Sequence, residues 1–247
     1  MDKKLLIFLL PIFILACKKP DPIVVPAPKL LASTRSINTN GHSILVDYSY
    51  NNKGILYQEI TKDEMTGKVL YQEYGHVNGV LHHLNISNDV RKLSSINYEY
   101  VTEKLTKMRY YDYDQYLRAE LLFDRIFEYQ NGQLYKIATS ANTGQPGEYT
   151  LFTFNGGNVT ETKTYAGNGT LLNKAQYMYD DKINPYFAQY SQLYNALAYS
   201  KSNVIKATYT DHLANTVTTT LYNYTYNTAG QPMASYSAGK LLITFAY

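Results

Sequence analysis

From about Asn40 to the last residue, apolar and polar side chains alternate with period two. In Ser43–Tyr50, Ile44, Val46, Tyr48 and Tyr50 share one face, opposite Ser43, Asp47 and Ser49. Ile96, Tyr98 and Tyr100 oppose Asn97 and Glu99; Thr216, Thr218 and Thr220 lead into Tyr222, Tyr224 and Tyr226; Leu241, Ile243, Phe245 and Tyr247 close the chain. This is the pattern of half-buried antiparallel strands. The side chains suit it: the chain has 27 Tyr, 8 Phe and no Trp, and Tyr and Thr fit a pleated, half-buried surface. Turn signals separate the runs: Asn51–Gly54, Asn78-Gly79, Asn131-Gly132, Gly156-Gly157, Asn168-Gly169 and Ala229-Gly230. Asn-Gly between alternating segments marks a hairpin, because both residues accept positive φ. The expected fold is all-β: an antiparallel meander of many short hairpins, about a dozen strands, curled or barrel-like.

The first residues, MDKKLLIFLLPIFILAC, read differently. Lys3 and Lys4 precede twelve apolar residues, Leu5 to Ala16. That is a signal-peptide length, well short of the roughly 20 apolar residues that span a bilayer. Ile14-Leu15-Ala16-Cys17 resembles a bacterial lipobox, and Cys17 is the chain's only cysteine. The resemblance implies cleavage before Cys17 and lipid on that residue. A single cysteine leaves no disulfide framework and no cysteine zinc cage. Removing residues 1–16 takes away Lys3, Lys4 and Asp2, leaving 21 basic and 19 acidic residues. Such a near-neutral surface gives little steering toward nucleic acid. Pro20, Pro22, Pro26 and Pro28 make the following stretch an extended spacer. The expected organisation is a signal peptide over 1–16, a lipidated Cys17 with a Pro-rich tether over 17–38, and one β-meander domain over 39–247.

Three strings share Tyr-x-x-x-Gly-x-Leu/Pro: Tyr50–Leu56, Tyr165–Leu171 and Tyr226–Pro232. An aromatic ends a strand, a glycine turns the chain, and the next strand begins. This resembles the YD repeat of bacterial surface and toxin-shell proteins. One segment departs from the β pattern. Asn184-Pro185 offers an N-cap with proline at the first helical position. Phe187, Tyr190, Leu193, Tyr194 and Leu197 follow at helical spacing. The spacing predicts a helix over 186–199 that covers one face or an open end of the sheet. Asp181–Phe187, Ser200–Val204 and Tyr222–Tyr226 together resemble a set of uncharacterised Bacteroidota lipoproteins with a YD-like β body. The resemblance implies a β-meander curling toward a barrel, and it supplies no catalytic residue.

Candidate chemistry is sparse. His82 and His83 are adjacent, so on a strand they point to opposite faces and share no metal. His42, His76 and His212 are scattered, and the expectation is no metal and no cofactor. Asp112, Asp114 and Asp124 surround a Tyr-rich stretch, but a carboxylate pair needs a set separation that spacing cannot supply. Asp63, Glu64, Asp180 and Asp181 read as turn and loop residues. No Gly-x-Ser-x-Gly elbow, P-loop or dinucleotide fingerprint is present. Tyrosine, with an apolar ring and a polar tip, is the one positive hint of binding, and Tyr110, Tyr111, Tyr113 and Tyr116 are the densest stretch.

The sequence therefore points to a cell-envelope lipoprotein, tethered through Cys17 and placed at the outer membrane. It is a non-enzymatic binding or structural module for a glycan or a protein. Its partners are the membrane and such a ligand, without nucleic acid. The alternatives are an integral outer-membrane β-barrel, suggested by the aromatic-ended strand Lys240–Tyr247, and a hydrolase with a site assembled from loops.

Overall fold

A computed structural model describes residues 29–38, 40–141, 146–190 and 199–247. Seventeen strands run in chain order: β1 (Ser33–Ile37), β2 (Ser43–Tyr50), β3 (Leu56–Asp63), β4 (Val69–Val77), β5 (Val80–Ser87) and β6 (Lys92–Val101). There follow β7 (Lys104–Tyr113), β8 (Ala119–Gln130), β9 (Gln133–Ala141), β10 (Pro146–Asn155), β11 (Asn158–Tyr165) and β12 (Leu171–Ile183). After a helix, α1 (Pro185–Tyr190), come β13 (Ser202–Asp211), β14 (Thr216–Leu221), β15 (Asn223–Tyr226), β16 (Pro232–Ser237) and β17 (Lys240–Ala246). The strand β1 lies inside the stretch that the sequence reading assigned to the spacer. Cys17 and the signal peptide expected over residues 1–16 lie outside the described residues.

Neighbouring strands pair antiparallel from β1 through to β14 and again from β15 to β17. The ring closes where β1 also pairs β17, with Thr34 opposite Phe245. Strands β14 and β15 are one chain run, 216–226, interrupted at Tyr222. Its first half pairs β13 and its second half pairs β16. Seventeen strands thus fill sixteen places, an even number, as closure of an all-antiparallel ring requires. The wall has one seam, where β15 passes the first residues of β13 without a ladder. Among the described residues, one backbone hydrogen bond crosses there, from Tyr222 N–H to the Ile205 carbonyl at 2.9 Å.

Alternation sets which side chains enter the barrel. Tyr74, Leu84, Ile96, Tyr110 and Phe123 are successive cross-strand partners on the inner face. Tyr98 opposes Met108, and Phe127 opposes Ile137. Tyr74, Leu84, Ile96, Tyr98, Met108, Phe127 and Ile137, with Leu105, Phe152 and Val159, form the buried core within β3 to β11, and Tyr110 packs against it half-buried. The outer face carries ion pairs beside exposed apolar side chains such as Tyr57, Leu122 and Ile126. Arg109 meets Glu99 at 2.8 Å, Lys136 meets Glu128 at 2.9 Å, and Lys163 and Lys174 both reach Glu161, at 2.8 and 3.1 Å.

Two kinds of local chemistry make the turns, and both occur at each end of the barrel. Residues with positive φ make tight turns, such as Asn78-Gly79 and Asn131-Gly132 at one end, here the lower, and Gly169 and Gly239 at the upper. Side-chain carboxylates and amides hold longer turns. Asp63 Oδ1 accepts from the N–H groups of Met65 and Thr66, and Asn88 Oδ1 from those of Val90 and Arg91, at the upper end. Asp114 and Asp211 do the same for their turns, as do Asn51 and Asn227 at the lower end. The turns at Asn88, Asp114 and Asp211 carry no glycine, which is why a reading based on glycine signals reaches about a dozen strands and not seventeen.

Candidate functional site

Residues 184–190 and 199–201, between β12 and β13, sit at the lower end, where Tyr186 reaches Phe245 of β17. Asn184 caps α1: its Oδ1 accepts the Tyr186 N–H at 3.0 Å, as Asn-Pro predicts. The helix over 186–199 is described as Pro185–Tyr190, and residues 191–198 lie outside the described residues. Four side chains clasp the two ends of the segment to the wall. The Asn184 amide donates to the Ser200 carbonyl at 3.0 Å. Fully buried Ser200 accepts the Val159 N–H at 3.0 Å and bonds the Tyr179 hydroxyl at 2.8 Å. Asp180 accepts from the Asn203 N–H and side-chain amide, at 3.1 and 3.2 Å. Asn184, Ser200 and Asn203, from the strings that carry the lipoprotein resemblance, thus belong to this clasp, and their role here is structural.

Above the clasp lies a cavity of about 340 Å³. Its aromatic walls are Tyr177 from β12, Tyr186 from α1, Tyr222 at the seam, Tyr224 from β15 and Phe245 from β17. Tyr186 packs against Phe245 with ring centroids 6.1 Å apart. Ala207 and Ser235 fill the gaps between rings, and among the described lining residues there is no Asp, Glu, Lys, Arg or His. Burial pushes the hydroxyls of Tyr177, Tyr186 and Tyr224 above the usual tyrosine range, so all three are neutral hydrogen-bonding groups at physiological pH. Beside the cavity, the Tyr226 hydroxyl donates to Asp180 across the seam. Burial, then that hydrogen bond, raises the Tyr226 pKa.

The structure does not assemble Tyr110, Tyr111, Tyr113 and Tyr116 into one platform. Tyr110 points inward, stacked on Phe123 at 4.4 Å. Tyr113 bonds Ser95 at 3.1 Å beneath Lys92, and Tyr116 is exposed in a turn beside Arg118. Asp114 is spent on its turn and on Arg118, Asp124 sits 3.8 Å from Lys107 on the outer face, and Asp112 is exposed. Asp63 is also a turn residue; His42 at 2.9 Å and the Thr66 N–H hold its carboxyl down to about 2. Glu64 pairs Arg35, while Asp181 faces Lys182. His82 lies 5.8 Å from the Tyr100 ring, His83 covers Gly75, and His76 contacts the Tyr74 carbonyl. Among the described residues no group of three or more His, Cys, Asp or Glu could hold a metal.

The sequence reading aligned Tyr222 and Tyr224 on one face but had no reason to bring them to Tyr177 and Tyr186. Inward parity was the available signal; ring closure supplies the convergence.

The chain is an all-antiparallel β-barrel with one seam. No family model and no curated protein sequence matches it. Among solved structures it is similar to a porin-like protein from Bacteroides uniformis, at TM-score 0.59 and 11% identity, over 87% of this chain and 97% of that one. A porin-like protein from Bacteroides vulgatus is similar at TM-score 0.58 and 11% identity, over 89% and 99%. At that identity the likeness is one of fold. A stretch of TcdB2-TccC3 also matches, at TM-score 0.32 over 12% of that chain, a score too low to bear on shape or kinship.

Proposed function

We propose that this protein is a cell-envelope binding barrel, held at a membrane by lipid on Cys17, that takes a small ligand into its lumen. The observation that carries the reading is the inversion of the wall. Tyrosines and apolar side chains face a luminal cavity, while charged pairs such as Arg109–Glu99 and Lys136–Glu128 cover the outside. A spanning barrel has the opposite arrangement, an apolar outer band. Each Lys or Arg on a lipid face costs up to about 2–4 kcal/mol at the bilayer midplane. Attachment therefore falls to the lipobox-like Ile14–Cys17 and the Pro-rich spacer, and the barrel stands in water. The fold shared with porin-like Bacteroides proteins and the leader both suit an envelope location.

The test has two parts. The Cys17→Ala chain should leave the membrane fraction and unfold cooperatively without detergent; a requirement for detergent would restore the integral barrel. In a thermal-shift screen of glycans and other small solutes, a ligand at a hundredfold excess over its Kd stabilises by about 2.7 kcal/mol. That shift should vanish in Ala207→Trp, which fills the cavity. A shift that survives the substitution would place binding elsewhere.

A further inference from the structure

We propose that the cavity takes a neutral, flat, ring-bearing ligand with one or two hydrogen-bonding groups, an aromatic compound in preference to a sugar. This rests on the luminal-binding reading above. About 340 Å³ is near the small end of ligand pockets, room for one or two rings. The walls offer ring faces and aliphatic surface: Tyr186, Tyr222, Tyr224, Phe245 and Ile243. Flat rings stack or meet edge to face on such walls.

Charge argues against an ionic ligand. With no charged side chain among the described lining residues, a carboxylate or ammonium would be desolvated without a counter-ion. Hydrogen-bonding capacity argues against a sugar. Asn184 is engaged by Ser200 and Tyr186, and Asn203 by Asp180. The Tyr177 and Tyr186 hydroxyls bond Thr162 and Thr34, while those of Tyr222 and Tyr224 have no hydrogen-bond partner among the described residues and Ser235 lies on the same lining. Those groups match one or two polar substituents. The many hydroxyls of a hexose would go largely unmet, and each buried unmet one costs about 1–3 kcal/mol.

The experiment titrates four probes against the purified chain: naphthol, naphthalene, naphthoate and N-acetylglucosamine, with thermal shift and calorimetry as readouts. Naphthol should bind saturably, and tighter than naphthalene. Tyr224→Phe, which keeps the ring, should weaken naphthol about 5–10-fold and leave naphthalene unchanged. Ala207→Trp should abolish both. Naphthoate binding as tightly as naphthol would overturn the neutral-ligand assignment. N-acetylglucosamine binding that Ala207→Trp removes would overturn the aromatic class and leave the binding barrel standing. Should no probe bind while another solute of the wider screen does so at this cavity, the class falls alone. If no solute binds there, the luminal reading falls with it.

Discussion

The Tyr226 hydroxyl donates to Asp180 across the interval of the barrel wall where β15 passes β13 without a ladder. Elsewhere backbone hydrogen bonds repeat along each strand pair; here a phenol, a carboxylate and the single Tyr222–Ile205 bond replace them. Hydrogen bonds to charged groups are the stronger ones, roughly 1.5–3 kcal/mol each. Tyr226→Phe should thus lower stability in urea by about 1–2 kcal/mol, since the site is only half-buried. Amide exchange should speed up at Tyr222 and stay unchanged at Val159 in the core. Equal exchange at both amides in wild type and variant would mean that the seam does not depend on this contact.

Ser200 should matter as much as a core residue despite its small polar side chain. It is fully buried, and it satisfies both the Val159 N–H and the Tyr179 hydroxyl. Ser200→Ala orphans a buried donor, at a cost of about 1–3 kcal/mol. Equilibrium denaturation reads the loss, and an unchanged midpoint would show that water replaces the serine.

Met108 is 2% exposed at the centre of the inner face, and Val217 is 66% exposed on β14. Met108→Ala should cost about 2–5 kcal/mol through lost burial and the cavity left behind. Val217→Ala should stay within about 0.5 kcal/mol of wild type. Similar costs at the two sites, measured by urea denaturation, would contradict the assignment of inner and outer faces.

Stability should fall steeply at alkaline pH. Burial raises the pKa of Tyr74, Tyr98, Tyr186 and Tyr224, and pushes Tyr100 and Tyr179 up to about 12. The unfolded chain releases these protons from about pH 10, while the native state keeps them. Stability from this source is therefore whole below about pH 10 and is lost as pH rises through the folded values. Tyrosinate absorbance from these side chains should appear together with unfolding. Gradual ionisation at constant urea midpoint would refute it.

How much of this was legible in the sequence varies by element. Hairpins closed by Asn78-Gly79 or Asn131-Gly132 were readable because positive φ selects those residues. The cap of α1 was readable because Asn184-Pro185 acts within one turn. Turns held by Asn88 and Asp114 were harder, since their signal is a side chain bonding its own backbone and not a glycine. The Tyr110–Tyr116 stretch misled, because alternation and a turn send its rings to separate places.

Local chemistry alone determined that this chain makes antiparallel hairpins, and which side chains share a face. Period-two alternation and turn geometry act over a few residues, so they can be read without the fold. Only tertiary structure decided that sixteen strand places close through Thr34 and Phe245, and that the run 216–226 divides between two neighbours. It also decided that Tyr177, Tyr186, Tyr222 and Tyr224 meet around one cavity. The reason is that register between distant strands is set by summed packing and ladder pairing around the whole ring. No single residue encodes that sum.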